Sequence, residues 1–121
     1  MKITVASPTY RRAWSLPYML EGLLSQSRPP DEVIVVLKPS GDGSEDVLKK
    51  YEDRLPLRVI TQKYGGFVQA VQMAIDAAVG DLLLFIDDDA VPEEKWIEKY
   101  EQFFEEVPDA GGASGMGMAA R

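Results

Sequence analysis

Three consecutive aspartates, Asp87, Asp88 and Asp89, follow the apolar run Leu82-Leu83-Leu84-Phe85-Ile86. Side chains alternate along an extended segment, so Asp87 and Asp89 share one side and Asp88 takes the other. Two carboxylates about 5 Å apart repel by roughly 3 kcal/mol at an effective dielectric of about 20. Protonation of one group relieves that repulsion, and so does a cation between them. A hard divalent ion held by one or two carboxylates, water and phosphate oxygens is the common arrangement. The simpler alternative is a solvated strand end in which one aspartate caps the next helix. Five apolar residues immediately upstream weigh against it.

Complementary groups lie elsewhere in the chain. Pro8-Thr9-Tyr10-Arg11-Arg12 combines a ring able to stack on a flat ligand with two guanidinium groups able to offset phosphate charge. The chain has neither cysteine nor histidine. Disulfides, thiolate zinc sites and thiol or imidazole catalysis are therefore excluded. A metal would have to sit among oxygen donors, which selects magnesium or manganese. The net charge of −7 is the wrong sign for a nucleic-acid binder. Gly41-Asp42-Gly43 is not a dinucleotide fingerprint, because Asp46 stands where its third glycine belongs, and there is no Walker lysine motif. Gly65-Gly66 reads as a turn.

The positioning elements alternate between strand and helix patterns. Residues 2–6 read as a first strand. Ser15 is a helix N-cap with Pro17 in the first turn, ahead of Leu16, Leu20, Leu23 and Leu24 at helical spacing. Residues 32–37 form a second strand, apolar on both faces. Ser44 caps a second helix, and residues 57–61 form a third strand. A helix over residues 67–79 is expected to turn Phe67, Val71, Ala74, Ile75 and Ala78 inward. Residues 82–86 are the fourth strand. Pro92 then opens a helix with Trp96, Ile97, Tyr100, Phe103, Phe104 and Val107 on one stripe. Residues 109–121 are a fifth strand or a tail. Four strand–helix units predict an α/β, doubly wound, mostly parallel sheet with helices on both faces. Its ligand crevice lies beyond the carboxyl ends of the strands, where strand order reverses.

In order and spacing these fragments resemble family 2 of the glycosyltransferases, which have the GT-A fold. The similarity runs from residue 2 to about 117. It is carried by Pro8-Thr9-Tyr10-Arg11-Arg12, by Ser25-Gln26-Ser27, by the strand starting at Asp31, by Asp42-Gly43-Ser44 with Asp46, by Gly80-Asp81, and by the Asp-x-Asp pair Asp87 and Asp89. The resemblance implies that the first and fourth strands are neighbours, and that a nucleoside-diphosphate sugar of UDP or GDP type binds between their ends. It implies that Pro8, Thr9, Tyr10 and Arg11 contact the nucleotide, with Asp42 near base or ribose. Asp87 and Asp88 would meet the nucleotide sugar. Asp89, with Asp87, would hold Mg²⁺ or Mn²⁺ on the diphosphate. The implied reaction is sugar transfer to an acceptor hydroxyl, inverting by analogy.

Three departures from the family pattern stand out. Lys38 replaces the acidic residue usual after the second strand, with Pro39-Ser40-Gly41 inserted behind it. Val71-Gln72 replaces an Arg-Asn pair. The family's acceptor region and catalytic base lie past Arg121, so residues 1–121 are expected to be a single nucleotide-sugar-binding domain cut short before that region. A non-catalytic GT-A-like binding or interaction domain is the alternative. A phosphoacceptor receiver fits poorly, because its acidic residues follow the first strand. No apolar run approaches the roughly 20 residues of a membrane helix. The expected location is the cytoplasm, with any membrane association coming from regions outside this chain.

Overall fold

The computed structural model describes residues 1–107. Eight elements alternate along them: β1 (Ile3–Tyr10), α1 (Leu16–Leu24), β2 (Glu32–Lys38), α2 (Ser44–Lys49), β3 (Leu57–Thr61), α3 (Phe67–Ala77), β4 (Leu82–Phe85) and α4 (Trp96–Glu106). The four strands form one parallel sheet in the order β3-β2-β1-β4. The chain thus winds outward from β1 to β3, then crosses back to lay β4 on the other side of β1. The reversal falls between β1 and β4, so the crevice opens beyond the ends of these two strands.

Alternation sorts the apolar residues onto two faces. Val33, Val35 and Leu37 of β2 join Ile3, Val5, Leu82 and Leu84 in the larger core, against Leu16, Met19, Leu20 and Leu23 of α1 and Trp96, Ile97 and Phe104 of α4. Ile34 and Val36 turn the other way and meet Ala6 with Ala70 and Ala74 of α3. Burying a Leu or Ile side chain contributes about 1.5–3 kcal/mol, so the α1–α4 face carries most of the apolar stabilisation. Among the described residues no helix is long and apolar enough to cross a membrane.

Several local expectations are corrected. β1 runs on to Tyr10, past the end expected at residue 6, with Thr9 opposite Leu37 and Tyr10 opposite Lys38. Proline is tolerated because the Ala6 carbonyl accepts from Ile86 N–H, so even-numbered residues of β1 address β4. That ladder ends at Ala6 opposite Phe85, so Pro8 lies beyond the β4 pairing, where a missing N–H breaks no ladder bond. Ser44 does not cap α2. Gly43, at φ 90°, is the cap residue, and Asp42 Oδ1 accepts from both Ser44 N–H (3.1 Å) and Ser44 Oγ (2.7 Å). Ser15 holds its cap position without capping α1 through its side chain.

α3 is turned partly away from the face expected: Ala74 is inward as expected and Val71 and Ala78 are partly buried, but Phe67 and Ile75 are not. Ala70 and Ala74 are buried, whereas Phe67 is 68 % and Ile75 48 % exposed. Gln69, Gln72 and Asp76 recur at helical spacing on the outer side, and the small alanines let the helix lie close on the sheet. α4 begins at Trp96, four residues after Pro92, and Phe103 and Val107 are partly exposed rather than core. The expected fifth strand or tail lies outside the described residues.

Candidate functional site

Beyond the β1 and β4 ends lies a cleft of about 410 Å³, within the range of small-molecule sites. One wall is the β1 end, with Pro8, Thr9, Tyr10 and Arg12; the opposite end carries Asp87, Asp88 and Asp89. Lys38 from β2, Gln62 after β3, and Gly66 and Phe67 at the start of α3 complete it. The switch point thus joins two aromatic rings, two cations, a helix N-terminus and three carboxylates.

The aspartates do not alternate along an extended segment as expected, and all three line the cleft. After β4 the backbone turns, with Ala90 N–H donating to Asp87 O (3.1 Å). Asp88 is held by the protein itself. Thr9 Oγ1 donates to Asp88 Oδ2 (2.8 Å), Arg12 Nε lies 3.7 Å from Oδ1, and Ser15 Oγ donates to the Asp88 carbonyl (3.0 Å). Burial pushes the Asp88 carboxyl above the ordinary aspartate range, against the opposing pull of the Thr9 hydroxyl and the Arg12 charge. Asp88 therefore pins the acidic turn onto the β1 loop. Asp87 is half-buried and Asp89 exposed, both on the cleft.

This turn is also anchored from behind. The buried Gln26 side chain donates to Glu93 O (2.6 Å) and Gly22 O (3.1 Å), and accepts from Ile97 N–H (3.1 Å). It thereby supplies α4 with a first-turn partner that no nearby residue provides. A Cβ at Gly22 would stand 2.6 Å from Pro92 Cδ, so glycine is what lets this loop seat against α1.

The loop after β1 differs in detail from the expected arrangement. Arg11, at φ 57°, is not among the cleft-lining residues; its guanidinium carbon sits 5.0 Å from the Tyr10 ring centroid. Arg12 lines the cleft instead. Asp42 is likewise outside the lining. Its carboxyl is held below the ordinary range first by the Ser44 hydroxyl, and Oδ2 accepts from Ala13 N–H (3.2 Å). It braces the loop that carries Tyr10. Lys38, read from sequence only as a departure, lies 5.2 Å from the Tyr10 centroid and donates to Gly65 O (3.0 Å). Gln62, Gly66 and Phe67 were not foreseen as lining residues, and only the Gly-Gly turn before α3 hinted at them.

The donor set suits a hard dication. The chain offers no thiolate or imidazole, and Asp87 and Asp89 present carboxylates to one cleft. Among the described residues no three acidic side chains gather into a complete cage. A cation at this position would therefore finish its shell with water and ligand oxygens, as Mg²⁺ commonly does.

Comparison with known proteins agrees with this geometry. Residues 4–114 match Glycosyl transferase family 2. Glycosyltransferase AglE of Haloferax volcanii is 28% identical over 102 residues, covering 80% of this chain and 33% of that protein. Poly(ribitol-phosphate) beta-N-acetylglucosaminyltransferase TarS of Staphylococcus aureus is 32% identical over 93 residues, 74% of this chain and 16% of that protein. The crystal structure of TarS 1-349 in complex with UDP-GlcNAc superposes with a TM-score of 0.81 at 29% identity, covering 88% of this chain and 32% of that one. Mannosyltransferase PcManGT from Pyrobaculum calidifontis, in complex with GDP-Man and Mn²⁺, gives a TM-score of 0.78 at 25% identity, over 85% of this chain and 32% of that one. The chain spans less than half the length of each of these relatives. By sequence, sheet order and cleft position together, this chain belongs to glycosyl transferase family 2.

Proposed function

We propose that this chain binds the donor of a glycosyltransferase, a nucleoside-diphosphate sugar of UDP or GDP type, whose sugar passes to an acceptor hydroxyl with inversion. The observation that carries the reading is the shared cleft: Asp87 and Asp89 face it from the β4 end, and Tyr10 and Arg12 from the β1 end. Relatives crystallised with UDP-GlcNAc and with GDP-Man and Mn²⁺ support the same ligand class.

In this reading the Tyr10 ring meets the base. Arg12, Lys38 and the first turn of α3 face the phosphates, where cations and free helix N–H groups favour negative charge. Asp89 and Asp87 hold the divalent cation, and Asp88 keeps them in place through Thr9, Arg12 and Ser15. A Mg²⁺ or Mn²⁺ bound there supplies Lewis acidity at the departing diphosphate. No described residue is assigned as the base that takes the acceptor proton.

Calorimetric titration of UDP and of GDP, each with and without Mn²⁺, tests the proposal. The expected result is one nucleotide bound in a metal-dependent manner. Equal, weak heats in all four titrations refute it. Asp89→Asn leaves an exposed position undisturbed and should weaken the metal-dependent part at least tenfold, about 1.4 kcal/mol. Unchanged metal dependence would remove Asp89 from its role.

A further inference from the structure

The two aromatic rings of the cleft are not equivalent. Tyr10 already has partners: the Arg11 guanidinium carbon lies 5.0 Å and the Lys38 ammonium nitrogen 5.2 Å from its ring centroid. Phe67 lines the same cleft, yet it is 68 % exposed and belongs to neither apolar cluster of the core. Among the described residues no other ring and no cation packs on it. A single apolar residue on open surface needs no explanation. An open ring on the wall of a small-molecule cleft is different, because such walls are what a ligand covers.

The chain around Phe67 is built to hold it there. Gln62, 3 % exposed, donates through Nε2 to Tyr64 O (3.1 Å) and Gly66 O (2.9 Å), and its own N–H donates to Leu37 O (2.7 Å). Lys38 donates to the carbonyl in between, Gly65 O (3.0 Å). Three successive carbonyls before α3 are thus drawn onto the ends of β2 and β3. Gly65 sits at φ 88°, and a Cβ there would meet Gln69 Cγ at 2.7 Å, so glycine is what makes the turn that puts Phe67 first in α3. One ammonium reaches both Gly65 O and the Tyr10 ring, which keeps the start of α3 within a side chain's reach of Tyr10.

The order of groups along a nucleotide sugar decides which part covers Phe67. A neutral ring offers nothing to a phosphate, which goes to the cations. The transferred sugar follows the diphosphate, whose dication belongs to the Asp87–Asp89 end beyond β4. Phe67 is carried by the turn that Lys38 and Gln62 hold, on the β2 and β3 side of β1 in the order β3-β2-β1-β4. The base, at the other end of the ligand from the sugar, falls on that side. Every nucleobase has a flat π face that an aromatic side chain can stack on.

We propose that Phe67 supplies the ring on which the donor's nucleobase stacks, with Tyr10 bordering the base from the β1 side. The assignment rests on the donor reading of the cleft and adds to it a binding residue.

Calorimetric titration of wild type, Phe67→Ala and Phe67→Trp tests it, with UDP, GDP and inorganic pyrophosphate as probes in the presence of Mn²⁺. Phe67 is exposed and outside the core, so both variants should fold, which urea unfolding checks. Phe67→Ala should weaken the nucleoside diphosphate that wild type binds at least tenfold, about 1.4 kcal/mol, a loss that base–ring stacking can account for. Its pyrophosphate affinity should stay within about twofold of wild type, because that ligand has no base to stack. Phe67→Trp should still bind the nucleotide, and its added tryptophan emission should fall as it does. Unchanged nucleotide affinity in Phe67→Ala overturns the stacking role alone. Equal weakening of pyrophosphate and nucleotide overturns it too, since the ring would then only support the wall. Unquenched emission from Phe67→Trp with nucleotide bound does the same. Absence of metal-dependent nucleotide binding in folded wild type overturns the donor reading, and this assignment with it.

Discussion

The contact between Thr9 and Asp88 joins the two halves of the cleft, and its removal is a sharp test of how the acidic turn is held. Thr9 is 4 % exposed, and its hydroxyl donates across 79 sequence positions to Asp88 Oδ2 at 2.8 Å. Thr9→Val keeps the side-chain volume and deletes the donor. A hydrogen bond to a charged group contributes about 1.5–3 kcal/mol. The remaining Arg12 contact, at 3.7 Å with the arginine side chain 41% exposed, is too long and too well solvated to compensate. A loss of about 2 kcal/mol at pH 7 is expected in urea unfolding followed by fluorescence. The double variant with Asp88→Asn isolates the charged part, since asparagine still accepts from Thr9 but carries no charge. The coupling should be about 1 kcal/mol, above the scatter of about 0.5 kcal/mol seen for independent sites. Coupling within that scatter would refute the claim that Thr9 holds an ionised Asp88.

Asp88 also predicts a pH dependence. Its folded carboxyl titrates above the ordinary aspartate value of 3.8, so between those two points the native state keeps a proton that the unfolded chain has lost. Stability therefore falls as pH rises through that window, and Asp88→Asn should lose less over the same range. Parallel unfolding curves of variant and wild type at every pH would contradict this. Gly22→Ala places a methyl 2.6 Å from Pro92 Cδ and should destabilise by about 1–3 kcal/mol in urea unfolding; a neutral result would mean that the loop moves freely on α1. Gln26→Leu leaves the buried Ile97 N–H without its partner, while Glu93 O keeps Trp96 N–H, and should lose about 1–3 kcal/mol by the same measurement, the cost of one orphaned buried group. A loss under 1 kcal/mol would show that Gln26 does not anchor α4.

Strand and helix succession was legible because alternation and helical periodicity are local. Residues 32–37 and 57–61 could be read as strands without knowing their neighbours, and the apolar run ending at Asp87 announced its own carboxyl terminus. Composition limited any bound metal to oxygen donors, since a chain without cysteine and histidine leaves no others. Extended alternation did not foretell the aspartates, because the backbone turns after Asp87 and brings all three to the cleft. Hidden from sequence was everything that depends on a partner far along the chain. Pro8 continues a central strand because β4 is too short to reach it. α3 turns Ala70 and Ala74 inward because small side chains let the helix lie close on the sheet, while Phe67 at its start lines the cleft instead of the core. Gln26 gives α4 its first-turn partner from 71 positions away. Which arginine lines the cleft was decided by the left-handed turn at Arg11, which sets that side chain against Tyr10 and leaves Arg12 beside Asp88. Local patterns determine which elements form and where their acidic ends fall. Only three-dimensional packing, which brings β1 beside β4, decides which of those residues share a cleft and which brace it.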